Sequence, residues 1–161
     1  MKKQPLQYLK SVVGTPGKKL MIAALISLAF ASPVFAGPRT VNSRAINNLY
    51  YEFKNAKNVV WEANDDYSHA TFTYDSHTMD VSFNNDGDLI GISKTISFDE
   101  LPSKSKQTIE KNYADFKKHD IIEFKNSEAE TSFYISMLKD EKKIILQISI
   151  DGDVSVFKPL Q

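Results

Sequence analysis

Histidine is the side chain in this sequence that could most directly bind a metal ion or transfer a proton near neutral pH. There are three, His69, His77 and His119. His69 points outward from a predicted strand, His77 shares the inward parity of Met79, and His119 lies in the other half of the sequence. A metal site needs ligands that converge at coordination distance. The spacing therefore predicts solvated or edge-packed histidines and no metal site.

The segment Ser82-x-Asn84-x-Asp86-Gly87 has the alternating oxygen side chains with which a calcium-binding loop begins. Its twelfth position, where such a loop requires a bidentate glutamate, is Ser93. Asp-Gly between two strands is also the usual chemistry of a tight hairpin turn, and the dipeptide recurs at Asp151-Gly152. We therefore predict two turns.

Nucleophilic catalysis finds little support in the sequence. It contains no cysteine and no Gly-x-Ser-x-Gly turn that would present a serine. The paired acids Asp65-Asp66, Asp99-Glu100 and Asp140-Glu141 fall in predicted turns or at a helix start, where carboxylates are normally solvated. We predict a protein that is not an enzyme, with no catalytic residues and no cofactor.

Residues 1–36 have the pattern of a secretory signal peptide. Lysines without any acid precede an apolar run over residues 20–31, and Val34-Phe35-Ala36 follows as a cleavage site. The apolar run is too short to span a bilayer comfortably. We predict cleavage after Ala36, a mature domain of residues 37–161 in the periplasm or medium, and no stable membrane anchor. An uncleaved anchor is the alternative.

Removing residues 1–36 changes the charge of the protein. That segment carries five of the 20 basic residues and none of the 20 acidic ones, so the mature chain has 15 basic and 20 acidic residues and a net charge of −5. Phosphates would be repelled, which argues against a nucleic-acid partner. Without cysteine there is no disulfide framework, and the stability must come from burial.

The exported part of the sequence resembles itself after a shift of 63 residues. The matched positions are Ile46, Tyr50 and Phe53 with Ile109, Tyr113 and Phe116, and Val59 and Trp61 with Ile122 and Phe124. The matches occur at both helical and strand spacing, which predicts two repeats over about residues 41–98 and 99–158.

Each repeat is predicted to be a helix followed by four strands. Ile46, Leu49, Tyr50 and Phe53 form an apolar helical stripe in the first repeat, and the second helix starts at Pro102 and runs to about residue 116. The strands are expected near residues 58–64, 67–75, 77–84 and 88–97, and near 120–126, 131–139, 142–150 and 153–158. The predicted fold class is α+β, with both helices packed on one face of an antiparallel sheet and the other face partly open.

The order of several short motifs resembles a known family. They are Val59-Val60-Trp61-Glu62, Ala70-x-Phe72, Asp86-Gly87, Leu101-Pro102, Tyr134 and Asp151-Gly152. The chain is similar over residues 41–158 to the PepSY-like, β-lactamase-inhibitor-like (BLIP-like) proteins exported by bacteria. The resemblance implies a non-catalytic domain outside the cytoplasm, and it supplies no catalytic or ligand residues to transfer.

The open sheet face is the predicted interaction surface. Alternation places Tyr134 and Leu138 outward where the corresponding positions, Thr71 and Asp75, are polar, and Tyr67 and His69 complete the candidate surface. We predict a module that binds an exported or envelope protein through this face or its hairpin loops. The alternative is a binder of a peptide, a lipid or an envelope fragment in a cleft between the two repeats.

Overall fold

The computed structural model describes residues 40–157, so the predicted signal peptide lies outside the described residues. Strands account for 51% of these residues and helices for 19%. All eight strands form one sheet in which the order of the strands is their order in the chain and every neighbouring pair is antiparallel. The strands are β1 Lys57–Ala63, β2 Tyr67–Tyr74, β3 His77–Asn84, β4 Leu89–Thr95, β5 Lys117–Asn126, β6 Thr131–Lys139, β7 Lys142–Ser149 and β8 Val154–Val156.

Within residues 40–157, two helices of ten residues each accompany the sheet, α1 Ser43–Glu52 before β1 and α2 Ser103–Asn112 between β4 and β5. The Asn42 side chain caps α1 by accepting a hydrogen bond from the amide of Arg44 at 2.8 Å. A short 3₁₀ turn, Phe98–Glu100, leads into α2. The Ser97 amide caps this 3₁₀ turn by donating a hydrogen bond to Glu100 Oε2 at 2.7 Å.

The predicted α+β tandem repeat of helix-plus-strand units, with two helices packed on the sheet, is wrong. The architecture is one continuous eight-stranded antiparallel sheet, and the helices are minor elements of it. Residues Gly91–Thr95 of β4 pair directly with residues Asn126–Ile122 of β5, so no boundary separates the two predicted repeats. The physical reason is that pairing β4 with β5 satisfies two strand edges that separate units would leave open.

The apolar side chains form two large clusters. The first contains Leu49 of α1 with Phe72 and Val81, and the second contains Ile109 of α2 with Ile135 and Leu146. The predicted alternation is confirmed on β1 and β6, whereas Ile122 and Phe124 of β5, matched in the sequence with Val59 and Trp61, lie outside both clusters. Val59 and Trp61 pack on the first cluster while Val60 is 59% exposed, and the second cluster takes in Phe133, Ile135 and Met137.

The buried face of α1 differs from the predicted stripe. Ala45 and Leu49 are fully buried, whereas Tyr50 is 46% exposed. The small Ala45 lets the helix approach the turn at Gly87, where a Cβ would lie 2.9 Å from the Ala45 nitrogen. Gly87 has φ +82, which other residues rarely adopt, so glycine is required here for both reasons.

Candidate interaction surface

The sheet has a second face, opposite the two large clusters, which we call the outer face. It is defined by rows of side chains in direct register across neighbouring strands, since partners in an antiparallel pair point to the same side. The rows are Glu62, His69, Ser82 and Gly91; Val60, Thr71, Asp80, Ser93 and Phe124; Ile122, Tyr134 and Gln147; Ser136 and Ile145; and Lys117, Leu138 and Lys143.

A polar cluster occupies the part of the outer face that β2 and β3 build. His69 Nδ1 lies 3.0 Å from Ser82 Oγ, and His69 Nε2 lies 3.2 Å from Asp80 Oδ1. Thr71 Oγ1 donates to the same Asp80 oxygen at 2.6 Å. These cross-strand contacts hold the imidazole and the threonine hydroxyl in fixed positions.

The cluster contains the residue types of a serine–histidine–aspartate triad, but its geometry does not match the chemistry. Ser82 is 4% exposed, so a substrate cannot reach its hydroxyl. A nucleophilic serine also needs nearby amide donors for an oxyanion, and the surrounding amides of β2 and β3 belong to the sheet ladder. The cluster holds its side chains in place, and it has no position from which to attack a substrate.

The other two histidines lie apart from His69. His77 begins β3, and His119 is an exposed residue of β5 whose Nδ1 contacts the carboxylate of its neighbour Asp120. Among residues 40–157, no group of three or more His, Asp or Glu side chains is placed to hold a metal ion.

A third, smaller apolar cluster covers the outer face of β5, β6 and β7. We call Ile122, Phe124, Tyr134 and Ile145 the Tyr134 patch. The Tyr134 ring meets Phe124 edge-on at 6.4 Å and meets Phe157, which follows β8, edge-on at 5.3 Å. The Tyr134 hydroxyl accepts a hydrogen bond from Gln147 Nε2 at 3.0 Å.

The sequence predicts an exposed Tyr134 on the interaction surface, and this prediction is wrong. Tyr134 points to the outer face but is only 3% exposed. This burial raises the pKa of its hydroxyl to about 12. The difference arises because Phe157 packs over the ring, a contact between residues 23 positions apart that strand alternation cannot reveal.

Of the other three predicted surface residues, Tyr67 and His69 lie two positions apart on the same face of β2, whereas Leu138 lies apart from them. Tyr67 is buried, which raises the pKa of its hydroxyl, although a hydrogen bond with Asn64 opposes the shift. Leu138 is half-buried between Lys117 and Lys143. It lies on β6, four strand positions from His69 on β2, a separation on the order of 20 Å.

An accessible part of the outer face remains at the β1 edge of the sheet. Val60 is 59% exposed and lies in register with Thr71, and Glu62 lies in register with His69. We call Val60, Glu62, His69 and Thr71 the β1–β2 surface. The alternation of β1 and β2 predicts this surface from the sequence. The residues that hold His69 in place lie on β3, and they reach it only because of the register between β2 and β3.

Two cavities lie at the ends of the sheet. One of about 310 Å³ is polar and is lined by Thr40, Asn42, Ala63, Asn64, Asp65, Ser68 and Asn85. Its amide groups serve the fold, since Asn42 Nδ2 donates to the Asn85 carbonyl and Asn64 Oδ1 accepts the Tyr67 amide. The other, about 530 Å³, lies beside Phe116 and the β6–β7 hairpin. Neither lies at the β4–β5 pairing that joins the two predicted repeats.

The chain is similar in fold to several solved structures. A BLIP-like protein from Bacteroides fragilis superposes with a TM-score of 0.65 at 20% identity, covering 74% of this chain and 86% of that one. A DUF2874 family protein from Bacteroides ovatus gives 0.65 at 18%, covering 74% and 89%. A protein from Bacteroides eggerthii, described as a candidate periplasmic protein, gives 0.67 at 16%, covering 72% and 86%.

At these identities the similarity shows the fold alone. It supports the BLIP-like part of the resemblance noted in the sequence, whereas the PepSY-like part is not shown. No protein-family model and no curated protein sequence matches the chain. The location outside the cytoplasm stays a prediction. Within residues 40–157, no helix is long and apolar enough to cross a membrane.

Proposed function

We propose that this protein is a non-catalytic, extracytoplasmic module that binds another exported or envelope protein, in the manner of an inhibitor, through the β1–β2 surface. The observation that carries the proposal is the combination of an exposed apolar side chain, Val60, with polar neighbours that are already held in place by hydrogen bonds. The BLIP-like fold of a solved neighbour is a second support.

The β1–β2 surface has the chemistry of a protein interface. Val60 would supply an apolar contact from which binding excludes water, and Glu62 would lie beside it as a charged residue at the rim of the interface. Because Asp80 contacts both His69 and Thr71, these side chains would lose little conformational freedom when a partner binds. The rest of the affinity would come from the shape of the sheet edge.

The proposal can be tested by affinity capture from the cell envelope followed by measurement of the dissociation constant for the captured partner. Val60→Arg places a charge in the middle of the β1–β2 surface and should weaken binding about tenfold or more, a loss of about 1.4 kcal/mol. Tyr50→Arg is the control, since Tyr50 is also an exposed apolar side chain, at 46% exposure, and lies on α1, outside the outer face.

Both variants should keep the melting temperature of the unsubstituted protein, because neither side chain is part of a buried cluster. Equal binding by the Val60→Arg variant and the unsubstituted protein would contradict the proposal. Loss of the partner on Tyr50→Arg together with its retention on Val60→Arg would also contradict the proposal.

A further inference from the structure

We propose that the Tyr134 patch is a second docking site, occupied in the free protein by the protein's own Phe157. Its external occupant is an extended polypeptide segment of a partner that places an aromatic side chain where Phe157 now lies. The inference takes from the proposed function only that the partner is a protein. The patch lies on a different part of the outer face from the β1–β2 surface.

The first step is that the patch belongs to neither of the large clusters. Its buried members, Ile122, Phe124 and Tyr134, come from β5 and β6, and no helix residue contributes to it. The cover on the solvent side includes Phe157, the last residue of the described chain, which is itself half-buried. Removing that ring would expose an apolar area flanked by polar residues, as a docking site requires.

The second step is that the ring contact shows which chemistry the patch accepts. Phe157 approaches Tyr134 edge-on, with the ring planes at 81° and the centroids 5.3 Å apart. This is the favoured arrangement of an aromatic pair. Gln147 fixes the Tyr134 hydroxyl, so the receiving ring keeps its position whether or not Phe157 is present.

The third step is that the segment carrying Phe157 is weakly attached. β8 has three residues, paired with Leu146, Gln147 and Ile148 of β7. Beyond them, the Phe157 amide donates one hydrogen bond to the Ile145 carbonyl at 2.8 Å. Short edge strands held by few backbone hydrogen bonds open at a lower free energy than the core.

Opening would leave the edge of β7 unpaired beside the patch. An incoming extended segment could then pair its backbone with residues 145–148 and insert its aromatic side chain against Tyr134. Strand addition of this kind takes its affinity from the backbone and its specificity from the side-chain pocket. The partner segment is therefore extended and carries an aromatic residue.

The test uses a synthetic peptide with the sequence of residues 150–157 and the full-length protein. The Phe157→Ala variant should bind this peptide about tenfold or more tightly than the unsubstituted protein, because its own segment no longer fills the patch. A peptide in which phenylalanine 157 is alanine should bind the same variant about tenfold more weakly. Val156→Ala, which leaves the ring in place, should bind like the unsubstituted protein.

Amide hydrogen exchange on the unsubstituted protein gives a second measurement. The Phe157 amide should exchange about a hundredfold or more faster than the Ile148 amide, through opening of β8 and Phe157 alone. Equal exchange rates would overturn the proposal, since Phe157 would then leave only on global unfolding.

Three other outcomes would also overturn it. The first is that the Phe157→Ala variant does not fold, and the second is that it binds the peptide no more tightly than the unsubstituted protein does. The third is that the variant forms a dimer that excess peptide does not dissociate, which would assign the patch to a second copy of the protein. Because the assay needs no captured partner, its failure leaves the result for the β1–β2 surface unaffected.

Discussion

Two fully buried serines should respond in opposite ways to the same substitution. Ser136 on β6 has no hydrogen-bond partner for its Oγ among the described residues, whereas Ser105 Oγ donates to the Pro102 carbonyl at 2.7 Å. A buried polar group without a partner costs about 1–3 kcal/mol, and a satisfied hydrogen bond contributes about 1 kcal/mol. Ser136→Ala should therefore raise the free energy of unfolding by about 1 kcal/mol, and Ser105→Ala should lower it by about 1 kcal/mol.

The direction for Ser136 follows from its neighbours. It points to the outer face in register with Ile145, and no described neighbour supplies a partner for its Oγ, so alanine removes an unsatisfied group without breaking a hydrogen bond. Alanine is smaller than serine by one oxygen atom, and the cavity left is less than a methyl group, which limits the packing loss to well under about 1 kcal/mol. The Pro102 carbonyl, in contrast, keeps only the bond from the Lys106 amide when Ser105 is truncated.

Urea denaturation of both variants measures the two free energies, and the dependence on urea should stay unchanged if only stability differs. The melting temperatures should separate by about 6–10 °C for a domain of this size, since each 1 kcal/mol shifts the midpoint by about 3–5 °C. If Ser136→Ala destabilises the protein as much as Ser105→Ala, the Ser136 hydroxyl has a partner in solution and the reasoning is refuted.

Two further substitutions test the environment of α1. Leu49→Ala should lower the free energy of unfolding by about 2–5 kcal/mol because Leu49 is fully buried. Tyr50→Ala should change it by less than about 1 kcal/mol. Similar losses for the two variants in urea denaturation would contradict the helix orientation. Burial raises the pKa of Glu52, so its ionised form destabilises the fold above that pKa and the penalty vanishes below the ordinary value of 4.5. Glu52→Gln should therefore stabilise the protein at neutral pH and lose this advantage well below pH 4.5, and an equal effect at both pH values would contradict the assignment.

Local elements could be predicted from the sequence because their signals are local. The strand expected over residues 67–75 is β2, Tyr67–Tyr74, and the one expected over residues 131–139 is β6, Thr131–Lys139. Alternation of side chains also gave the correct facing of Val60. The second helix was expected to reach residue 116 but ends at Asn112, since its apolar pattern continues through the turn into β5.

The continuity of the sheet could not be predicted in the same way. Similarity between the two halves of the sequence suggests separate units, but it contains no information about whether β4 pairs with β5. That pairing depends on hydrogen bonds between residues about 30 positions apart in the chain, such as Ile92 and Lys125. The bonds are made by backbone groups, which are the same for every residue type.

The candidate site could be predicted only in part, because exposure also depends on contacts between residues far apart in the chain. Strand alternation placed His69 and Tyr134 on the outer face, but exposure depends on what else reaches that face. Asp80 and Ser82 reach His69 from the next strand, and Phe157 reaches Tyr134 from the end of the chain. Such contacts follow from the register and from the path of the chain after β7.

The two regions of the outer face meet where Ser93 of β4 lies in register with Phe124 of β5. On one side the polar β1–β2 surface is accessible and can contact a partner without any rearrangement. On the other side the apolar patch is covered by Phe157. A partner that uses both regions would therefore bind first at the β1–β2 surface, and that contact would raise the effective concentration of its aromatic segment beside the patch. Under this order, Val60→Arg slows the displacement of Phe157 by the partner, whereas Phe157→Ala leaves binding at the β1–β2 surface unchanged.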